Sequence, residues 1–102
     1  MIAGNIKQEP TPALMNALSE VDSFISANLY SSSGRRWYVL LRSLEGREYP
    51  CALGSTIRNF DSQNIQLFFD LVLAMRASPV RDQPMWDVIQ RHRDFFEPDE
   101  EG

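Results

Sequence analysis

The side chains that could do chemistry in this chain are few and scattered. His92, the single histidine, stands between Arg91 and Arg93 with Asp94 beyond. An imidazole there could act as a general base or a pH sensor. A base needs a positioned substrate and partner groups within hydrogen-bond reach. No nucleophile lies at a readable spacing, so the expectation is a half-buried helix residue at a polar boundary. Cys51, the single cysteine, follows Pro50. A reactive thiolate wants a helix N-terminus or adjacent cations, and Arg47 lies four residues back, so Cys51 reads as a small hydrophobe. Serines are plentiful, but none sits in a G-x-S-x-G elbow. Gly34, Gly46 and Gly54 form no phosphate-cradling pattern, and no paired His or Cys spacing suggests a metal. The sequence predicts no catalytic, cofactor-binding or metal-binding residue, and therefore a non-enzymatic protein. A small enzyme or ligand sensor is a third option; it would need a pocket between sheet and helices.

A second cluster could bind rather than react. Arg35, Arg36, Arg42, Arg47 and Arg58 lie in one quarter of the chain, beside Trp37, Tyr38 and Tyr49. Arginines interleaved with aromatics on a strand surface can hold single-stranded nucleic acid by phosphate contact and base stacking. The plainer alternative turns Trp37 into the core and leaves the arginines to solubilise the hairpin or to pair with Glu45, Glu48 and the acidic tail. A net charge of −4 favours that alternative, because polyanion binders carry a basic balance. A nucleic-acid-binding regulator is thus the second reading.

The strongest signal is apolar. From Ile65 to Met75 the chain reads IQLFFDLVLAM, with Gln66 and Asp70 its only polar residues. A surface helix ordinarily buries one stripe and solvates the rest. This run is apolar on roughly three sides, and 102 residues offer limited mass to wrap it. Ile65, Phe68, Phe69, Val72 and Met75 suit a core stripe; Leu67, Leu71 and Leu73 then need covering too. Large exposed apolar patches mark interaction sites, so the expectation is partial enclosure completed by a protein partner. The predicted partner-binding anchors are Leu67, Leu71, Trp86 and Phe95. Arg35, Arg36, Arg42 and Arg47 are the predicted rim, or nucleic-acid, contacts.

Composition bounds the rest. The chain is 43% hydrophobic and 24% charged, which suits one folded domain. A lone cysteine excludes an internal disulfide and fits a reducing compartment. Residues 1–10 lack the apolar core of a signal peptide, and the 65–75 run is too short for a bilayer, which needs about 20 apolar residues. The expectation is a cytoplasmic protein with no membrane partner. Arginine outnumbers lysine, with Lys7 alone, which reads mainly as genomic base composition; planar, stacking cations also suit interfaces.

The elements that would position these residues begin after a flexible arm, 1–10. Thr11-Pro12 reads as a cap followed by an N-terminal proline. Leu14, Leu18, Val21 and Ile25 then make an amphipathic helix to about residue 30. Ser31-Ser32-Ser33-Gly34 reads as a flexible link. Arg36 to Ser43 alternates as a strand, Leu44-Glu45-Gly46 as a hairpin turn, and Arg47 to Leu53 as a returning strand, at a sheet edge because Pro50 lacks an N–H. Residues 54–60 connect to the central helix, capped by Asp61 or Ser62 and ending near Ala77 before Ser78-Pro79. Asp82-Gln83-Pro84 predicts the cap of a last helix carrying Met85, Val88, Ile89, His92, Phe95 and Phe96 on one side. Residues 98–102 form an acidic tail after a single domain, 11–97.

The predicted fold is α+β: helix, β-hairpin, helix, helix. A lone hairpin is marginal in water and leaves open edges, so two hairpins are expected to pair across a homodimer into a four-stranded antiparallel sheet. The function this suggests is a small regulator that binds and inhibits another protein through an apolar helical surface. An antiactivator that blocks a transcription factor's dimerisation or DNA binding is the concrete case. Anchors would bury in the partner while arginines orient it.

Overall fold

A computed structural model of the chain describes residues 8–45 and 53–98. Its order is α1 (Pro12–Ala27), α2 (Ser32–Leu44), α3 (Leu53–Arg58), α4 (Ser62–Ala77) and α5 (Asp82–Phe96). Every regular element among the described residues is a helix. The α+β expectation is therefore overturned, and the four-stranded sheet shared between two copies falls with its strands.

Residues 36–43, expected as a strand, lie inside α2. Tryptophan, tyrosine, valine and leucine in a short run satisfy both periods, and packing decides between them. Gly34, Trp37, Tyr38 and Leu41 are all buried, a spacing of three, four and seven that only a helix brings to one side. The serines do not link elements; they start one. Ser31 is extended and its Oγ accepts the Gly34 N–H at 3.2 Å, the standard N-cap arrangement. Gly34 itself is a close-approach residue: a Cβ there would lie 2.1 Å from the Asn28 carbonyl oxygen. Leu44 ends α2 and Glu45 is its C-cap. The rest of the predicted turn and returning strand, with Gly46, Arg47, Glu48, Tyr49, Pro50 and Cys51, lies outside the described residues, as do the first seven residues of the arm and 99–102 of the tail. Leu53, its expected last strand residue, begins α3, and this short helix occupies most of the predicted connection.

The other helices form where their caps and periodicity place them. Thr11 Oγ1 accepts the Leu14 N–H at 3.2 Å, with Pro12 opening α1. Leu14, Leu18, Val21 and Ile25 are each at most 2% exposed. Asp61 caps α4 by accepting the Asn64 N–H at 2.9 Å. At α5 the expected cap shifts: Arg81 is the N-cap without a side-chain bond, and Asp82 lies in the first turn, where a carboxylate suits the helix dipole.

Helix α1 is the hub. It packs against α2, α4 and α5, and α2 also packs against α5. The core gathers around it, with Trp37, Leu41, Leu71 and Ile89 fully buried. Each such side chain contributes about 1.5–3 kcal/mol by leaving water. Trp37 stacks on Phe60 at 5.2 Å between centroids and meets Phe68 at 6.4 Å, joining α2 to α4. Ser78 accepts the Thr11 N–H at 3.2 Å, fastening the α4–α5 link to the start of α1. No helix among the described residues is long and apolar enough to cross a membrane.

Candidate protein-docking face

The orientation of α4 is set by one polar residue in the core. Asn64 is 5% exposed, and its Oδ1 accepts the indole N–H of Trp37 at 2.9 Å. The capping Asp61 Oδ1 in turn accepts from the Asn64 side-chain amide at 3.1 Å. A buried indole N–H without an acceptor costs about 1–3 kcal/mol, so this chain of bonds holds Asn64 inward. Phe68, Leu71 and Ala74 follow it into the core.

A second apolar stripe then faces outward. Ile65, Phe69, Val72 and Leu73 fall within about 100° of arc at 3.6 residues per turn. Ile65 and Val72 are partly buried, whereas Phe69 is 52% and Leu73 65% exposed. Arg76 closes the stripe at its C-terminal end. Beside it a depression of about 420 Å³ is lined by Leu44, Val72, Met75, Arg76 and Arg81. On the opposite flank, a groove between α1 and α4 carries Glu20, Asp61 and Asp70 around Phe24 and Leu67. The stripe is thus apolar along its length, basic at its end and acidic along one side.

The four predicted anchors are not brought together. Leu71 is fully buried, so it holds the core and touches no partner. Leu67 lies in the acidic groove, half-buried. Trp86 is half-buried on α5, with the guanidinium carbons of Arg42 and Arg93 at 5.8 and 5.9 Å from its ring centroid, a cation–π spacing. Phe95 is 41% exposed and meets the open ring of Tyr30 edge-on at 5.1 Å. Sequence reasoning missed Phe69 and Leu73 as the outermost pair. The signal was present in Asn64: a polar residue whose partner lies in the core turns the helix by about one residue, or 100°.

The predicted arginine platform loses two of its rings, while Arg47 and Tyr49 lie outside the described residues. Trp37 and Tyr38 are 0% and 1% exposed, so neither ring can stack on a base. Tyr38 stacks on Phe96 at 4.8 Å and donates its hydroxyl to Glu97. Arg42 Nε lies 3.1 Å from the same carboxylate, so the two residues tie α2 to the end of α5. Arg35 and Arg36 remain on α2, exposed and half-exposed.

His92 is 7% exposed, and its Nε2 lies 2.6 Å from Asp22 Oδ1. Arg91 donates to the other oxygen of Asp22, with Nε at 2.9 Å. One carboxylate of α1 thereby receives two neighbours from α5, an arrangement that joins helices rather than activates a nucleophile. Among the described residues no group of three or more His, Cys, Asp or Glu side chains could hold a metal ion.

No protein-family model, curated protein or solved structure matches this chain.

Proposed function

We propose that this protein is a small non-enzymatic regulator that binds and inhibits another protein through the outer stripe of α4. One observation carries the reading: Phe69 and Leu73 stand 52% and 65% exposed on a helix whose opposite face is committed to the core. Exposed large apolar side chains arranged as one stripe suit a helix-in-groove or helix-on-helix partner. The small size, and the lack of an assembled catalytic group among the described residues, suit stoichiometric inhibition. An antiactivator is the concrete form, with the stripe covering the surface a transcription factor uses to dimerise or to reach DNA. Arg76 and Arg81 at one end, and the carboxylates along one side, would set the partner's direction. A lone cysteine suits the cytoplasm.

The test is capture from the native host by immobilised protein at high salt, with Phe69→Asp and Leu73→Asp alongside. The expected result is a protein retained at stoichiometric yield by the parent and by Arg35→Ala/Arg36→Ala, and lost from both stripe variants. Retention of the same proteins by parent and stripe variants, or recovery of nucleic acid alone, overturns the reading.

A further inference from the structure

The groove between α1 and α4 has a chemistry separate from that of the stripe. The start of α1 is bonded to Ser78, just past the end of α4, so the two helices run antiparallel. Glu20 therefore lies near the level of Asp70, and Asp61 stands at the far end of the groove, at the α4 N-terminus. About 13 Å of helix rise separates Asp61 from Asp70. Between those ends sit Phe24 and Leu67, both half-buried, in a trough of about 440 Å³. The bonds these carboxylates make are to uncharged groups. Asp61 accepts from the Asn64 backbone and side-chain amides, and Asp70 accepts from Gln66 at 2.9 Å. Among the described residues the ion pairs engage only Asp22 and Glu97. Glu20, Asp61 and Asp70 thus share the groove without a paired cation. Like charges gathered at an apolar trough repel, and a ligand's cations relieve that repulsion. A bare ion would leave Phe24 and Leu67 uncovered. Lysine and arginine lay their aliphatic stems along apolar surface while their heads reach a carboxylate.

We infer that this groove docks a basic amphipathic helix of another protein. One aliphatic or aromatic side chain of that helix enters between Phe24 and Leu67, and a Lys or Arg one turn to either side meets the acidic ends. Cations four residues before and four after such an anchor span about 12 Å, close to the separation of those ends. A third helix laid in the trough of an antiparallel pair is the helix-in-groove mode of recognition. Phe69 and Leu73 line no part of this groove, so the inference stands apart from the reading of the outer stripe.

The probe is a fluorescein-labelled, alanine-based helical peptide carrying Arg, Phe and Arg at four-residue spacing, titrated with the full chain at low salt and read by anisotropy. Saturable binding is expected, with Kd on the order of 10–100 µM, weakening as salt is added. The double variant Glu20→Gln/Asp70→Asn should weaken it about fivefold or more. Both positions are exposed, so circular dichroism and melting temperature should not change. Serine in place of the peptide's phenylalanine, a change that cannot unfold the protein, should weaken binding by a similar factor. Leu73→Asp should leave the affinity as it is. Amide shifts in a two-dimensional NMR titration should centre on Glu20, Phe24, Leu67 and Asp70. No saturation by about 1 mM, equal affinity for a peptide with glutamates in place of the arginines, indifference to the double variant, or shifts centred elsewhere would overturn the inference. Spermidine binding as tightly as the peptide would also overturn it, by reducing the groove to a patch for any cation. A groove that binds the peptide, in a protein whose stripe variants still capture the parent's partners, removes the stripe reading alone. Capture lost from the stripe variants, with no peptide bound, removes this inference alone.

Discussion

At the residue scale, three positions hold the helices in register, and each makes a prediction. Gly34 meets the Asn28 carbonyl with no room for a methyl group. Gly34→Ala should destabilise the protein by about 1–3 kcal/mol, read as a lower urea midpoint, although alanine is the better helix former. An unchanged or raised midpoint would show that α1 and α2 do not approach this closely. Asn64→Leu should cost about 1–3 kcal/mol by leaving the Trp37 N–H without its acceptor, and should alter the tryptophan fluorescence, whereas a conservative change at the neighbouring exposed Gln63 should do neither. The Asp22 pair divides unequally. Arg91 is about half exposed, so its ion pair contributes little; His92 is nearly sealed, so Asp22→Ala should cost about 1–2 kcal/mol chiefly through the lost imidazole bond. Arg91→Ala alone should fall within about 0.5 kcal/mol of the parent.

At the element scale, legibility followed the caps. Thr11 and Asp61 each accept an open N–H of the helix that follows, and both helices start where those residues stand. The Ser31 cap sends the same signal, hidden by its neighbours: three serines and a glycine also compose a linker. Arg36 to Ser43 was ambiguous for a physical reason. β-Branched and aromatic residues in a run of eight satisfy strand alternation locally, while the helical reading needs Gly34 and its contact with Asn28, information that lies in another element. For the candidate face, the helix was legible and the stripe it buries was not. Composition alone identifies α4 as too apolar for one buried face, but which stripe turns inward depends on the Trp37–Asn64 bond. Substitution separates the stripes: Leu71→Ala should cost about 2–5 kcal/mol as a core cavity, whereas Leu73→Asp should change stability by no more than about 0.5 kcal/mol. Equal losses at the two positions, by chemical denaturation, would place both inside.

At the scale of the whole molecule, three other helices close on α1. Amides in α1 should exchange most slowly with solvent, near the global unfolding free energy, while those of α3, which contributes no buried residue, should exchange through local opening. Hydrogen exchange with mass spectrometry orders them directly. The hub is also synthesised before the helices that cover it. Leu14, Leu18, Val21 and Ile25 leave the ribosome well before α4 and α5, the elements that shelter them, have been translated. At about 5–20 residues per second that greasy edge waits several seconds for its cover. A nascent chain stalled near residue 60 should therefore hold a chaperone that the released polypeptide lets go.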